Sequence, residues 1–206
     1  MRTYAAAAVP WHVVATGCVL VPGLLALVAW RPSVVWPLQG AALGVVGGAV
    51  AWSMDEPLAA LVDTLPRALP WRTVARCCVV PLVLVAWAVP LVAARDRLPA
   101  HLPLFLLQGA GVALVALAVT VALRRRGAPS PGRRVASIAV PAALALALIR
   151  PAPRRLALFP VWPTDAWATS AALWSIAAAA ASLVLAGALL REHCPRRVPI
   201  RKPPHL

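Results

Sequence analysis

Acidic side chains are scarce in this chain: six Asp and Glu in 206 residues, against 20 Lys and Arg. Lysine is nearly missing as well, with one copy beside nineteen arginines. Charged residues of either sign make up only 13% of the sequence, while 62% is hydrophobic and the mean hydropathy is +0.82. A soluble globular domain carries ~45–50% apolar residues, so that class is excluded. The formal net charge of +14 would point to nucleic acid in a soluble protein. Here there is neither a continuous basic surface nor an aromatic stacking platform, and the arginines stand between and after apolar blocks, where positive charge sets membrane topology. Motifs for chemistry are missing too. There is no GxxxxGK[ST] loop, so the chain does not bind and split ATP by that route. Cys77, Cys78, His193 and Cys194 match no zinc spacing, and no metal or cofactor is expected. Neither a Ser-His pair nor paired carboxylates stand at a depth suited to intramembrane catalysis.

What is present reads as an all-α, polytopic integral membrane protein with six spans in a single transmembrane domain. Their expected limits are about His12–Trp30, Val34–Trp52, Cys77–Ala94, Leu102–Leu123, Val135–Ile149 and Trp167–Leu190, followed by a basic tail over Arg191–Leu206. Pro81 and Pro90 are expected to bend the third span, and the short fifth span needs Arg134 and Arg150 to snorkel at its ends. No Asp, Glu, Lys or Arg falls inside any of the six, whereas proton- and ion-coupled carriers need such groups along their path. Gln39, Gln108, Thr120, Ser137, Ser175 and the edge residue His12 are the polar exceptions, read as hydrogen-bonded helix contacts. Gly40, Gly44 and Gly48 lie four apart on one helix face, where a second helix can approach closely, either within the chain or from a partner. An even number of spans puts both termini on one side. That side carries fourteen Lys and Arg and the other six, which predicts cytosolic termini and a multi-pass protein of the cell membrane.

The most polar interruption is Ser53–Arg76, between the second and third spans. Asp55 is suited to cap a helix whose first turn holds Glu56 and Pro57, and Leu58, Leu61, Val62 and Leu65 follow at helical spacing. Asp63 is the third acid of the stretch, and Arg67, Arg72 and Arg76 follow. A short amphipathic helix here has two readings. It rests on the lipid interface, or it docks a cytosolic partner.

The arrangement resembles a known family. Six spans, cytosolic termini and an amphipathic element between the second and third resemble an exporter-type ABC transporter permease. More narrowly, DEPLAALVDTLPRALPWRTVAR before an apolar span, then PTDAWATSAALW and LLREHCPRR, is similar to small Ala/Arg-rich ABC-permease-like proteins of actinobacteria. The resemblance implies a membrane subunit that couples a separate cytosolic ABC ATPase to substrate movement by alternating access, working with a second membrane subunit in the lipid bilayer. It assigns the coupling role to Asp55, Glu56, Leu58, Leu61, Asp63, Arg67 and Arg72. It also implies that Arg150–Asp165 re-enters the outer leaflet. Met1–Trp11 is too short for the amphipathic helix with which such permeases begin. A non-transporting scaffold, regulatory or accessory subunit therefore stands as the alternative.

Overall fold

The computed structural model describes residues 8–31, 37–55, 69–97, 101–149, 158–160 and 166–190. Their regular elements are all helical: α1 (Trp11–Trp30), α2 (Leu38–Ser53), α3 (Leu69–Arg76), α4 (Val79–Ala93), a 3₁₀ turn (Arg95–Arg97), α5 (Leu102–Arg125), α6 (Pro131–Ile149) and α7 (Trp167–Leu190). The α3–α4 stretch, α1, α5, α6 and α7 each contain a segment long and apolar enough to cross a membrane. The chain is an all-α polytopic membrane protein.

A short apolar helix, α2, sits at the centre. At ~1.5 Å per residue, the 16 residues of α2 reach ~24 Å, less than the ~30 Å of a hydrocarbon core. It needs no lipid-matching length because protein surrounds it: α1, α4, α5 and α6 all pack on α2, while α7 packs on α5. Leu43, Val46 and Val50 of α2 are fully enclosed, as are Val21, Val79 and Val83 from the helices around it. Outward-facing positions remain apolar: Val19, Ile176 and Leu183 are 71%, 65% and 74% exposed, as a surface meant for lipid tails requires.

Gly40, Gly44 and Gly48 turn to α6, within the chain. A Cβ on Gly40 would stand 2.6 Å from Ala147 Cβ, and one on Gly44 would stand 2.6 Å from Val140 Cα. At Gly48 the Cα of Ala136 would be 3.6 Å away, an ordinary contact, and the approach tightens again one turn on, where Gly132 of α6 meets the backbone of Ala51. Without side chains along this stripe, backbone meets backbone.

Several boundaries differ from expectation, each for a local reason. The fifth span starts at Pro131, not Val135, and takes Arg133 and Arg134 into its first turn. Proline suits the first helical position, and acceptors for the next two amides come from elsewhere in the fold. The fourth runs on to Arg125 and closes in a Schellman turn, with Gly127 N–H to Arg124 O at 2.9 Å and Ala128 N–H to Leu123 O at 3.1 Å. Gly127 takes φ +78 there, the left-handed conformation that glycine adopts without strain. The third span is divided by a turn at Cys77 and Cys78, so α3 precedes α4. Pro81 falls in the first turn of α4, where a missing N–H costs nothing, leaving Pro90 as the interior proline. The second helix begins at Leu38; Val34 lies outside the described residues.

Candidate functional site

Two polar clusters sit at opposite ends of the bundle, and the larger includes part of the stretch singled out in the sequence. Asp55, just past the end of α2, is only 7% exposed. It was expected to cap a helix starting at Glu56. Glu56 and the residues after it lie outside the described residues, but the Asp55 carboxylate caps α6: Gly132 N–H donates to Oδ1 at 2.7 Å and Arg133 N–H to Oδ2 at 2.8 Å. These amides belong to the first turn of α6, whose N–H groups have no acceptor within the helix, and a negative charge complements its dipole. Close approach makes this possible, because a Cβ on Gly132 would overlap the carbonyl oxygen of Ala51.

Arginines complete the cluster from two other helices. Arg76, at the end of α3, is 2% exposed and donates through Nη1 to the carbonyl oxygens of Ser53, at 3.4 Å, and Asp55. Arg124, in the last turn of α5, donates to Met54 O at 3.3 Å. The final carbonyls of α2 and the two residues after it are thus held by cations from α3 and α5, a favourable placement at a helix C-terminus. Between them is a void of about 10 Å³, lined by Thr73, Arg76, Thr120 and Arg124, with room for a single water. Arg72 is also buried, at 5% exposure. Of the residues assigned to coupling, Asp55 and Arg72 therefore face inward, while Glu56, Leu58, Leu61, Asp63 and Arg67 lie outside the described residues.

The second cluster converges on one carbonyl. Leu158 O accepts from Gln108 Nε2 at 3.2 Å, Ser170 Oγ at 3.3 Å and Trp174 Nε1 at 3.1 Å. Gln108 Oε1 in turn accepts from Gln39 Nε2 at 3.0 Å, linking α2, α5 and α7. Gln108 and Trp174 lie in the second turns of α5 and α7. The backbone at Leu158 therefore reaches the first two turns of α5 and α7, where three side-chain donors satisfy its carbonyl. The rest of Arg150–Asp165, apart from Phe159 and Pro160, lies outside the described residues. Beside it the rings of His101 and Trp167 stack with centroids 3.7 Å apart. Leu158 had no signal in the sequence as an acceptor, since a backbone carbonyl is invisible to a search for polar side chains.

Among the described residues no three His, Cys, Asp or Glu side chains converge as metal ligands. Cys18, Cys77 and Cys78 are free thiols; His193 and Cys194 lie outside the described residues. A groove of about 540 Å³ runs between α1 and α4, lined by Trp11, Val14, Cys18 and Pro22 on one side and Leu82, Val89 and Pro90 on the other. Its walls are apolar and it opens outward, so it is not a polar conduction path. The Asp55 cluster joins the ends of α2, α3, α5 and α6 through charged hydrogen bonds. In comparisons with family models, curated proteins and solved structures, nothing matches this chain.

Proposed function

We propose that this chain is the permease-like membrane subunit of an ATP-driven ABC transporter, taking its input at the Asp55 end of the bundle. The observation that supports the reading is how the stretch between α2 and α4 is anchored. One end is tied to α6 through the Asp55 carboxylate; the other is tied to the end of α2 through Arg76. A push on the intervening residues is delivered to α2, α3 and α6 together, and through Arg124 to α5. In this proposal the Asp55 end and both termini face the cytosol of a cell membrane, and the ATPase is a separate chain. The translocation path forms between this chain and a second membrane subunit, in keeping with the apolar packing around α2.

A second reading, a non-transporting scaffold or accessory subunit, is favoured by one specific observation. Asp55 and Arg72 are buried in the fold and are not presented to a partner. One experiment separates the two readings. Changing Leu58 and Leu61 together to Glu removes the apolar stripe while leaving every span intact. The transporter reading expects ATPase copurification and substrate-linked ATP turnover to be lost, with membrane insertion retained. Wild-type levels of ATPase on the double variant would reject docking through this stripe. An absence of any ATPase on the wild-type protein would favour the scaffold.

A further inference from the structure

The α5–α6 hairpin gathers more positive charge than the fold itself consumes. Arg124 and Arg125 end α5 and Arg126 follows it, Arg133 and Arg134 open α6, and the turn through Gly127 and Ser130, both at positive φ, brings the two groups together. Arg124 is turned inward to Met54, but Arg125, Arg126, Arg133 and Arg134 are exposed. None of those four pairs with a carboxylate of a described residue. The nearest described acid, Asp55, is already occupied by the amides of Gly132 and Arg133. Two guanidiniums on the first turn of α6 also stand at the positive end of a helix dipole, where cations are disfavoured and an anion is welcome.

The surroundings say which anion. Arg134 shares a helix face with Ile138, one turn along, and with Pro141, and both are exposed, Ile138 at 63%. Four residues of helix separate Arg134 from Ile138, ~6 Å along the axis, so the cation stands at the rim of the lipid-facing surface and not out in water. Arg133 lies over the ring of Trp52, with its guanidinium carbon 5.8 Å from the centroid, and Trp52 is itself an exposed indole at the end of α2. Indoles and arginines side by side mark the headgroup level of a bilayer. An acidic protein surface would satisfy the charge but not the apolar stripe beneath it.

We propose that the α5–α6 hairpin is a binding site for an anionic phospholipid, whose phosphate lies among Arg125, Arg126, Arg133 and Arg134 and whose acyl chain runs down α6 over Ile138 and Pro141. The site is independent of the transporter reading. Its lipid is defined by charge, so a zwitterionic headgroup of the same chain length is a poor ligand.

The test uses the full chain in detergent and native mass spectrometry with added phosphatidylglycerol or phosphatidylcholine. Wild-type protein is expected to retain phosphatidylglycerol in preference to phosphatidylcholine. Arg133→Gln with Arg134→Gln lowers that retention by roughly thirtyfold, at about fivefold for each cation beside an anionic lipid. Arg95→Gln, exposed on a different loop, leaves it unchanged. Arg134→Gln alone, at an exposed position whose side chain forms no hydrogen bond or ion pair with a described residue, gives the fivefold step should the double variant fail to fold. Equal retention by wild type and Arg134→Gln would overturn the site, as would equal retention of the two lipids by wild type. Displacement of phosphatidylglycerol by excess inorganic phosphate would overturn the lipid as occupant and leave a free-phosphate site.

Discussion

Replacing Gly44 by Leu is the sharpest test of how this bundle is held together. A Cβ at that position would stand 2.6 Å from Val140 Cα, 2.9 Å from Ala139 O and 3.1 Å from Val140 N. All three are backbone atoms, so no rotamer change relieves the overlap and α6 must move as a body. Ordinary contact between carbons lies near ~3.5–4.0 Å, which demands about 1 Å of separation for the Cβ alone and more for the isobutyl group. Moving α6 by 1 Å also lengthens the bonds from Gly132 and Arg133 to Asp55, now 2.7 and 2.8 Å, past the useful range of ~3.2 Å. Overpacking of this kind costs about 1–3 kcal/mol, and weakening one hydrogen bond to a charged group roughly 1.5–3 kcal/mol more. Together these put the loss at roughly 2.5–6 kcal/mol. Gly23 is the matched control: it is mid-helix in α1, and nothing lies within 4 Å of a Cβ built there. Fluorescence-detected size-exclusion chromatography after heating, in one detergent, should show Gly44→Leu melting far below wild type, with Gly44→Ala between them and Gly23→Leu near wild type. Equal melting and equal yield of the two leucine variants would refute the backbone-contact reasoning.

Other perturbations bear on the two polar clusters and on orientation. Asp55→Ala leaves two first-turn amides of α6 without their acceptor and should cost roughly 2–4 kcal/mol in the same melting assay, with Asp55→Asn, which keeps one neutral acceptor, losing about half as much. For Gln39 and Gln108, single changes to Leu each strand a partner, so the double variant should be less destabilised than the sum of the singles, by about 0.6–1.7 kcal/mol. Strict additivity would mean that their 3.0 Å bond contributes nothing. Cysteine labelling in whole cells, on a background without the native thiols, should leave positions 63 and 127 protected and label positions 96 and 165. Outside labelling at 63 or 127 would invert the topology.

By itself the sequence determined the class, an all-α polytopic membrane protein. Long apolar segments broken by arginine-rich turns admit no other fold, because a bilayer satisfies no backbone polar group and each span must satisfy its own. The glycine stripe was legible too, as a face of one helix, since four-residue spacing survives translation into any helix. Its partner was not: that Gly40, Gly44 and Gly48 meet Ala136, Val140 and Ala147 is a matter of which helix closes on which, and α6 offers many similar small residues. Asp55 shows the same division. Its residue type announces a helix cap, and it is one, but the helix it caps begins 76 positions later at Pro131. A carboxylate suits any helix N-terminus, and backbone contact between α2 and α6 brings one from far along the chain within its reach. Arg76 looked like an edge cation setting topology, and only the packed structure buries it against the carbonyls of Ser53 and Asp55. The local signals say what each group requires; the tertiary structure decides which distant group meets the requirement.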